Sequence, residues 1–158
     1  MEIPFPTPLS EMFSPSHIRN DVPAVKPNEM SMIPVKEDMS HIFELNAAID
    51  RGEIVSMPAD RVYGSQKTAN CMFLGTEARF PLGAFAMAAQ KKVPMLSVFV
   101  MKEAYRTYHA FVCEIRCDRE AKIREQMSQL AQNFATDLEK IVRRYPTQWF
   151  NYFDFWKQ

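Results

Sequence analysis

The sequence predicts an α/β layered domain with a mostly parallel central sheet flanked by helices. Three observations carry that prediction. Strand-like runs alternate with helical ones along the chain, the pattern of a βαβ arrangement. VPMLSVFVM, from Val93, is a continuous apolar run of the length of a buried strand. The segment after Cys117 places Ile123, Met127, Leu130, Phe134, Leu138 and Ile141 at steps of four and three, which puts all six on one face of a long helix.

Taken in order, the chain opens on proline. Seven of the eleven prolines lie at or before Pro34, and each removes a backbone donor and restricts its predecessor. Residues 1–28 are therefore expected to be extended or poorly ordered, and residues 29–158 to form the domain. MSMIPV predicts a short strand. KEDMSHIFELNAAIDRG predicts a helix with Met39, Ile42, Phe43 and Ile49 on one face and Gly52 as its C-terminal cap. EIVSMPA follows as a strand, and a long connection runs to about Phe80. LGAFAMAAQKK is then a helix, VPMLSVFVMK a strand, and RTYHAFVCEIRC another, being rich in β-branched and aromatic residues. The long amphipathic helix completes the order, and Pro146 ends it.

The chain is 158 residues long, about one domain, and its 19 basic and 19 acidic residues cancel. No overall field draws it to nucleic acid or to an anionic surface, so any such attraction is local. Three cysteines, an odd number, and an N-terminus without a basic and apolar leader pattern favour a reducing compartment. The longest apolar run is about half of what a membrane-crossing helix requires.

Backbone freedom is concentrated in one stretch. The four glycines, Gly52, Gly64, Gly75 and Gly83, fall within 32 residues, which makes DRVYGSQKTANCMFLGTEARFPLG the best candidate for a site. From Gly52 to Lys92 five basic residues (Arg61, Lys67, Arg79, Lys91, Lys92) stand against three acidic ones (Glu53, Asp60, Glu77). An Arg just past a strand end and a helix beginning near Pro81 are the parts of an anion site. A purely structural network around Asp60 and Arg61 is an equally simple reading.

The histidines offer little. His17 lies in the proline-rich part and His41 on an amphipathic helix. His109 and Glu114 have a His-x4-Glu spacing, but on a strand they face opposite sides. His109, Cys113 and Cys117 recur every four residues; on a strand each step covers roughly 13 Å, too far for one tetrahedral ion. Cys71 has no evident His or Asp partner. No metal and no cofactor is expected.

The chain closes on YPTQWFNYFDFW, in which seven of twelve residues are aromatic. Basic Lys140, Arg143 and Arg144 stand immediately before it. Cations beside Trp and Tyr suit a membrane interface, which would engage Arg143, Arg144, Trp149, Phe150 and Trp156. Equally, Trp149, Phe150 and Phe153 would seal a core.

GEIVSMPADR, FLGTEARFPLGAFAMA and KKVPMLSVFV, in that order and followed by RRYPTQWFNYF, resemble the later sequence blocks of the lysophospholipid acyltransferase superfamily. The nearest branch is the lipid A biosynthesis lauroyl or myristoyl transferases, and the similarity runs from about Met30 to Trp156. It implies a glycerolipid-acyltransferase-like fold with an incomplete N-terminal half. It implies transfer of a fatty acyl group from an acyl carrier protein or coenzyme A thioester to a hydroxyl of a phosphoglycolipid. The expected place is the cytoplasmic face of the inner membrane, peripherally, with no transmembrane helix in this chain. By the same resemblance Asp60 and Arg61 match the strand-end pair, Arg61 meeting acceptor phosphate. Phe80, Pro81 and Gly83 match the turn that lines the acceptor side, with Leu82 where glycerolipid members carry a carboxylate, and the basic Arg79 beside them is counted among the expected substrate-binding residues.

The family's first block, His-x4-Asp or His-x4-Glu, whose His deprotonates the acceptor hydroxyl, does not precede these segments. The expectation is thus a C-terminal portion without its base, inactive alone, with no catalytic residue assigned. A non-catalytic lipid-binding or partner-docking module is the alternative, and a soluble domain without a ligand the plainest one.

Overall fold

The structure is a computed structural model that describes residues 31–35, 40–62, 67–152 and 155–156. The chain divides between Met57 and Pro58 into two compact units. The proline-rich stretch 1–28, Met30, Met39, Gly64 and Phe153, all named above, lie outside the described residues.

The first unit is built on helix α1, Ser40–Asp50. Gly52 ends it at φ +78°, a left-handed conformation that costs glycine nothing. Its N–H donates to the Ile49 carbonyl (2.9 Å) and the Glu53 N–H to that of Ala48 (3.0 Å), the bond pair of a Schellman cap. The helix and its glycine stop are as the sequence predicts. Ala48 is its buried residue, whereas Phe43, expected on the apolar face, is exposed. Residues 31–35 and the segment Glu53–Ala59 are irregular, so the strands expected of MSMIPV and EIVSMPA are not formed there.

In the second unit the expected long connection to Phe80 is instead a β-hairpin. Strand β1, Thr68–Phe73, pairs antiparallel with β2, Thr76–Pro81. Leu74 (φ 52°) and Gly75 (φ 85°) make the two-residue turn, and two consecutive positive φ values suit the right-handed twist of the strands. The inward face is Ala69, Cys71, Phe73, Ala78 and Phe80; Asn70, Met72, Glu77 and Arg79 point outward.

Helix α2, Gly83–Lys91, buries Phe85, Ala88 and Ala89. Strands β3, Met95–Ala104, and β4, Thr107–Ile115, form a second antiparallel hairpin, as the strand assignments for these segments anticipate. Ser97, Phe111 and Ile115 are buried on one side of it, while Leu96, Val98, Val100 and Tyr108 are exposed on the other. Helix α3, Ile123–Arg144, packs on β1, α2 and the second hairpin. Its Leu130, Phe134, Leu138 and Ile141 are buried as predicted; Ile123, at the first turn, is exposed.

The architecture is mixed α/β, and the sheets among the described residues are two antiparallel pairs. The parallel order expected from strand and helix alternation does not appear in them. Each pair is joined by a turn of two residues, and so short a link returns the chain alongside itself in the opposite direction. The core gathers both hairpins' inner faces around α3. Phe73, Phe80, Phe85 and Phe155 are fully buried. Phe80 meets Phe73, Phe134 and Phe155 edge-on, at centroid distances of 5.6, 6.1 and 5.5 Å.

Polar side chains finish the strand edges and the first hairpin's turn. The Met72 N–H donates to Gln132 Oε1 (2.9 Å) and Gln132 Nε2 donates back to the Met72 carbonyl (3.1 Å). The Leu74 N–H donates to Glu139 (2.8 Å). Gln148, in the 3-10 turn Pro146–Gln148, repeats the two-way pairing on Lys102, at 2.8 and 2.9 Å. Edge groups that a further strand would otherwise pair are thus satisfied from α3 and the turn after it.

Candidate functional site

Asp60 and Arg61 follow the irregular segment that ends at Ala59, itself part of the core. Both are half-buried. The structure brings them to the closing aromatic segment: Trp149 Nε1 donates to Asp60 Oδ2 (3.4 Å) and Arg61 Nη2 donates to the Phe150 carbonyl (3.5 Å). The segment is held in turn. The Trp149 ring stands edge-on to Phe73 and to Phe155, each at 5.3 Å, and the preceding Gln148 is tied to β3. Asn151 donates its N–H to the Trp149 carbonyl (2.8 Å), and its side-chain Oδ1 is buried without a hydrogen-bond partner.

The other sequence-predicted residues are dispersed. Phe80 and Pro81 are buried; the Phe80 ring lies wholly within the aromatic core. Arg79 is on the outer face of β2, opposite Asn70, whose side chain is bonded to Glu77. Gly83 is exposed at the N-terminus of α2, and a Cβ there would meet nothing within 4 Å. That helix has no side-chain cap; the Leu82 N–H donates to the Lys67 carbonyl (2.9 Å).

Of the residues expected at a membrane, Phe150 and Trp156 are exposed, as is Tyr152, while Trp149 is half-buried against Phe73. Arg143 is paired with Glu139 at 2.7 Å. The Arg144 guanidinium lies over the Phe111 and Tyr145 rings, 5.5 and 5.3 Å from their centroids.

His109 does find a carboxylate, but it is Glu103 across the hairpin, 3.6 Å away, which also accepts from the Tyr145 hydroxyl (3.1 Å). Glu114 bonds Arg116 instead, on the face away from His109. Sequence spacing misses the Glu103 contact because it depends on hairpin register. A second cluster also escapes it: buried Ser97 donates to Asp137 (3.1 Å), which pairs with Lys140 (3.0 Å). Burial, with Glu77 nearby, pushes the Cys71 thiol up to about 11, so it stays protonated and unreactive at neutral pH. Among the described residues no group of three or more His, Cys, Asp or Glu is placed to hold a metal, and no helix is long and apolar enough to cross a membrane.

The arrangement is suited to binding: a guanidinium and a carboxylate at the end of an irregular segment, bonded to residues 89 positions later. A family model for bacterial lipid A biosynthesis acyltransferases matches residues 26–158, which include both ends of this site. No curated protein matches the chain.

Proposed function

Since the chain belongs to the bacterial lipid A biosynthesis acyltransferase family, we propose that it serves acyl transfer to a lipid A-type phosphoglycolipid. In that reaction the acceptor hydroxyl oxygen forms an ester bond with the thioester carbonyl carbon, and the carrier thiol leaves with the hydroxyl's proton. The donor would be an acyl carrier protein or coenzyme A thioester. Arg61 would meet acceptor phosphate, and Gly83 and Arg79 would lie to the acceptor side. The work would be done peripherally, at the cytoplasmic face of the inner membrane. The observation that carries this reading is the family match across residues 26–158, with Asp60 and Arg61 joined to the closing Trp149 and Phe150 inside it.

In this sequence the His-x4-Glu spacing occurs once, at His109 and Glu114, and those two side chains are on opposite faces of β4. We therefore expect the chain alone to hold acceptor and donor without turning them over. A transfer assay with acyl carrier protein thioester and a lipid A precursor tests this: no product is expected from the isolated chain. Robust product would refute the missing base, and loss of that product in Arg61→Ala would then place the acceptor at Arg61.

The exposed Phe150, Tyr152 and Trp156 favour a second reading, a lipid-binding or partner-docking module. Rings at headgroup depth beside Arg143 and Arg144 would bind anionic vesicles, less so at high salt. Flotation of the chain with phosphatidylglycerol vesicles is expected at low salt, and its absence there would count against this reading.

A further inference from the structure

We propose that Trp149 is a positioning residue for the Asp60 and Arg61 pair, so that the closing segment sets the geometry at which the pair meets a sugar phosphate. The inference rests on the acceptor-phosphate role of Arg61 given above. Neither Asp60 nor Arg61 lies in a strand ladder, so no sheet fixes their direction. The segment 145–149 supplies what a ladder would. Its backbone continues from α3 through the Tyr145 N–H to the Ile141 carbonyl (2.8 Å), Gln148 is bonded twice to Lys102, and the Trp149 ring packs edge-on against both Phe73 and Phe155.

From that fixed base the indole N–H donates to Asp60, and the carbonyl of the next residue, Phe150, accepts from Arg61. A neutral indole donor occupies one carboxylate oxygen without adding charge. A carboxylate so occupied competes less well for the neighbouring guanidinium, whose value to a phosphate lies in its charge and its planar array of donors. Trp149 thus acts through Asp60, with the Phe150 backbone directing the guanidinium itself.

Titration calorimetry of the whole chain with glucosamine 1-phosphate tests the proposal, with glucosamine and inorganic phosphate as further arms. Trp149→Phe keeps an aromatic ring against Phe73 and Phe155 and removes the donor. Affinity for glucosamine 1-phosphate is expected to fall about tenfold in Trp149→Phe, the equivalent of one lost polar contact. In an Asp60→Ala background the same substitution should cause no further loss.

An equal loss with and without Asp60 would mean that Trp149 acts only as packing, and would overturn the proposal. Parent-like binding by Trp149→Phe, with binding lost in Arg61→Ala, would overturn it too while leaving the acceptor-phosphate role standing. Parent-like binding by Arg61→Ala, or no binding by the parent chain, would overturn that role and this proposal together. Tighter binding of inorganic phosphate than of glucosamine 1-phosphate would mean that a free anion, and no sugar phosphate, is the ligand, and would refute it as stated.

Discussion

Glu139 shows how one side chain reports on the fold. Burial works against its charge, but the Leu74 N–H and the Arg143 guanidinium outweigh it and hold the carboxyl below its usual range. A carboxylate depressed by folding adds stability that is fully present above the unfolded pKa of about 4.3 and is lost as pH falls through the folded value. Urea midpoints measured from pH 6 downward should therefore fall less steeply in Glu139→Gln than in the parent; identical slopes would show that the contact is not formed. At this scale the sequence singles out Asp60 and Arg61 for an acceptor site and Trp149 and Phe150 for a membrane contact or a core, but not the meeting of the two pairs. Neither residue type nor spacing carries a contact across 89 positions. Of the closing aromatics, Trp149 packs inward, and Phe150, which the core reading also included, is exposed.

Among the elements, helices were the more legible. α3 announces itself because its large apolar residues recur at helical spacing, and α1 because a glycine stands where its cap must turn left-handed. The β1 and β2 hairpin was hidden because its inward face is partly Ala69, Cys71 and Ala78, small residues that make a weak alternating signal. Its turn carries Leu74 where Asn or Asp would have marked a hairpin more clearly. The free edge of the hairpin is bonded from α3. Gln132→Ala removes both bonds to Met72 and should cost about 1–3 kcal/mol, since two backbone groups lose their partner. Chemical denaturation would measure that cost, and a change within experimental scatter would mean that water replaces the amide without penalty.

Over the whole molecule, the alternation of strand and helix correctly indicated a mixed α/β chain, yet it could not give strand direction, which depends on the length of each link. Local turns settled that as antiparallel for both described pairs. The core is assembled from far-apart segments, with Phe80 against Phe73, Phe134 and Phe155 and Phe73 against Phe155, so packing joins what hydrogen-bonded sheets leave separate. The polar side chains that bond these strand edges and turns follow the same plan, and they carry a consequence for motion. The backbone N–H groups of Met72, Leu74 and Lys102 are held by Gln132, Glu139 and Gln148 instead of by a neighbouring strand. Their exchange with solvent hydrogen is therefore governed by how often α3 and its following turn lift away, and a hairpin that stays fully zipped would still release them.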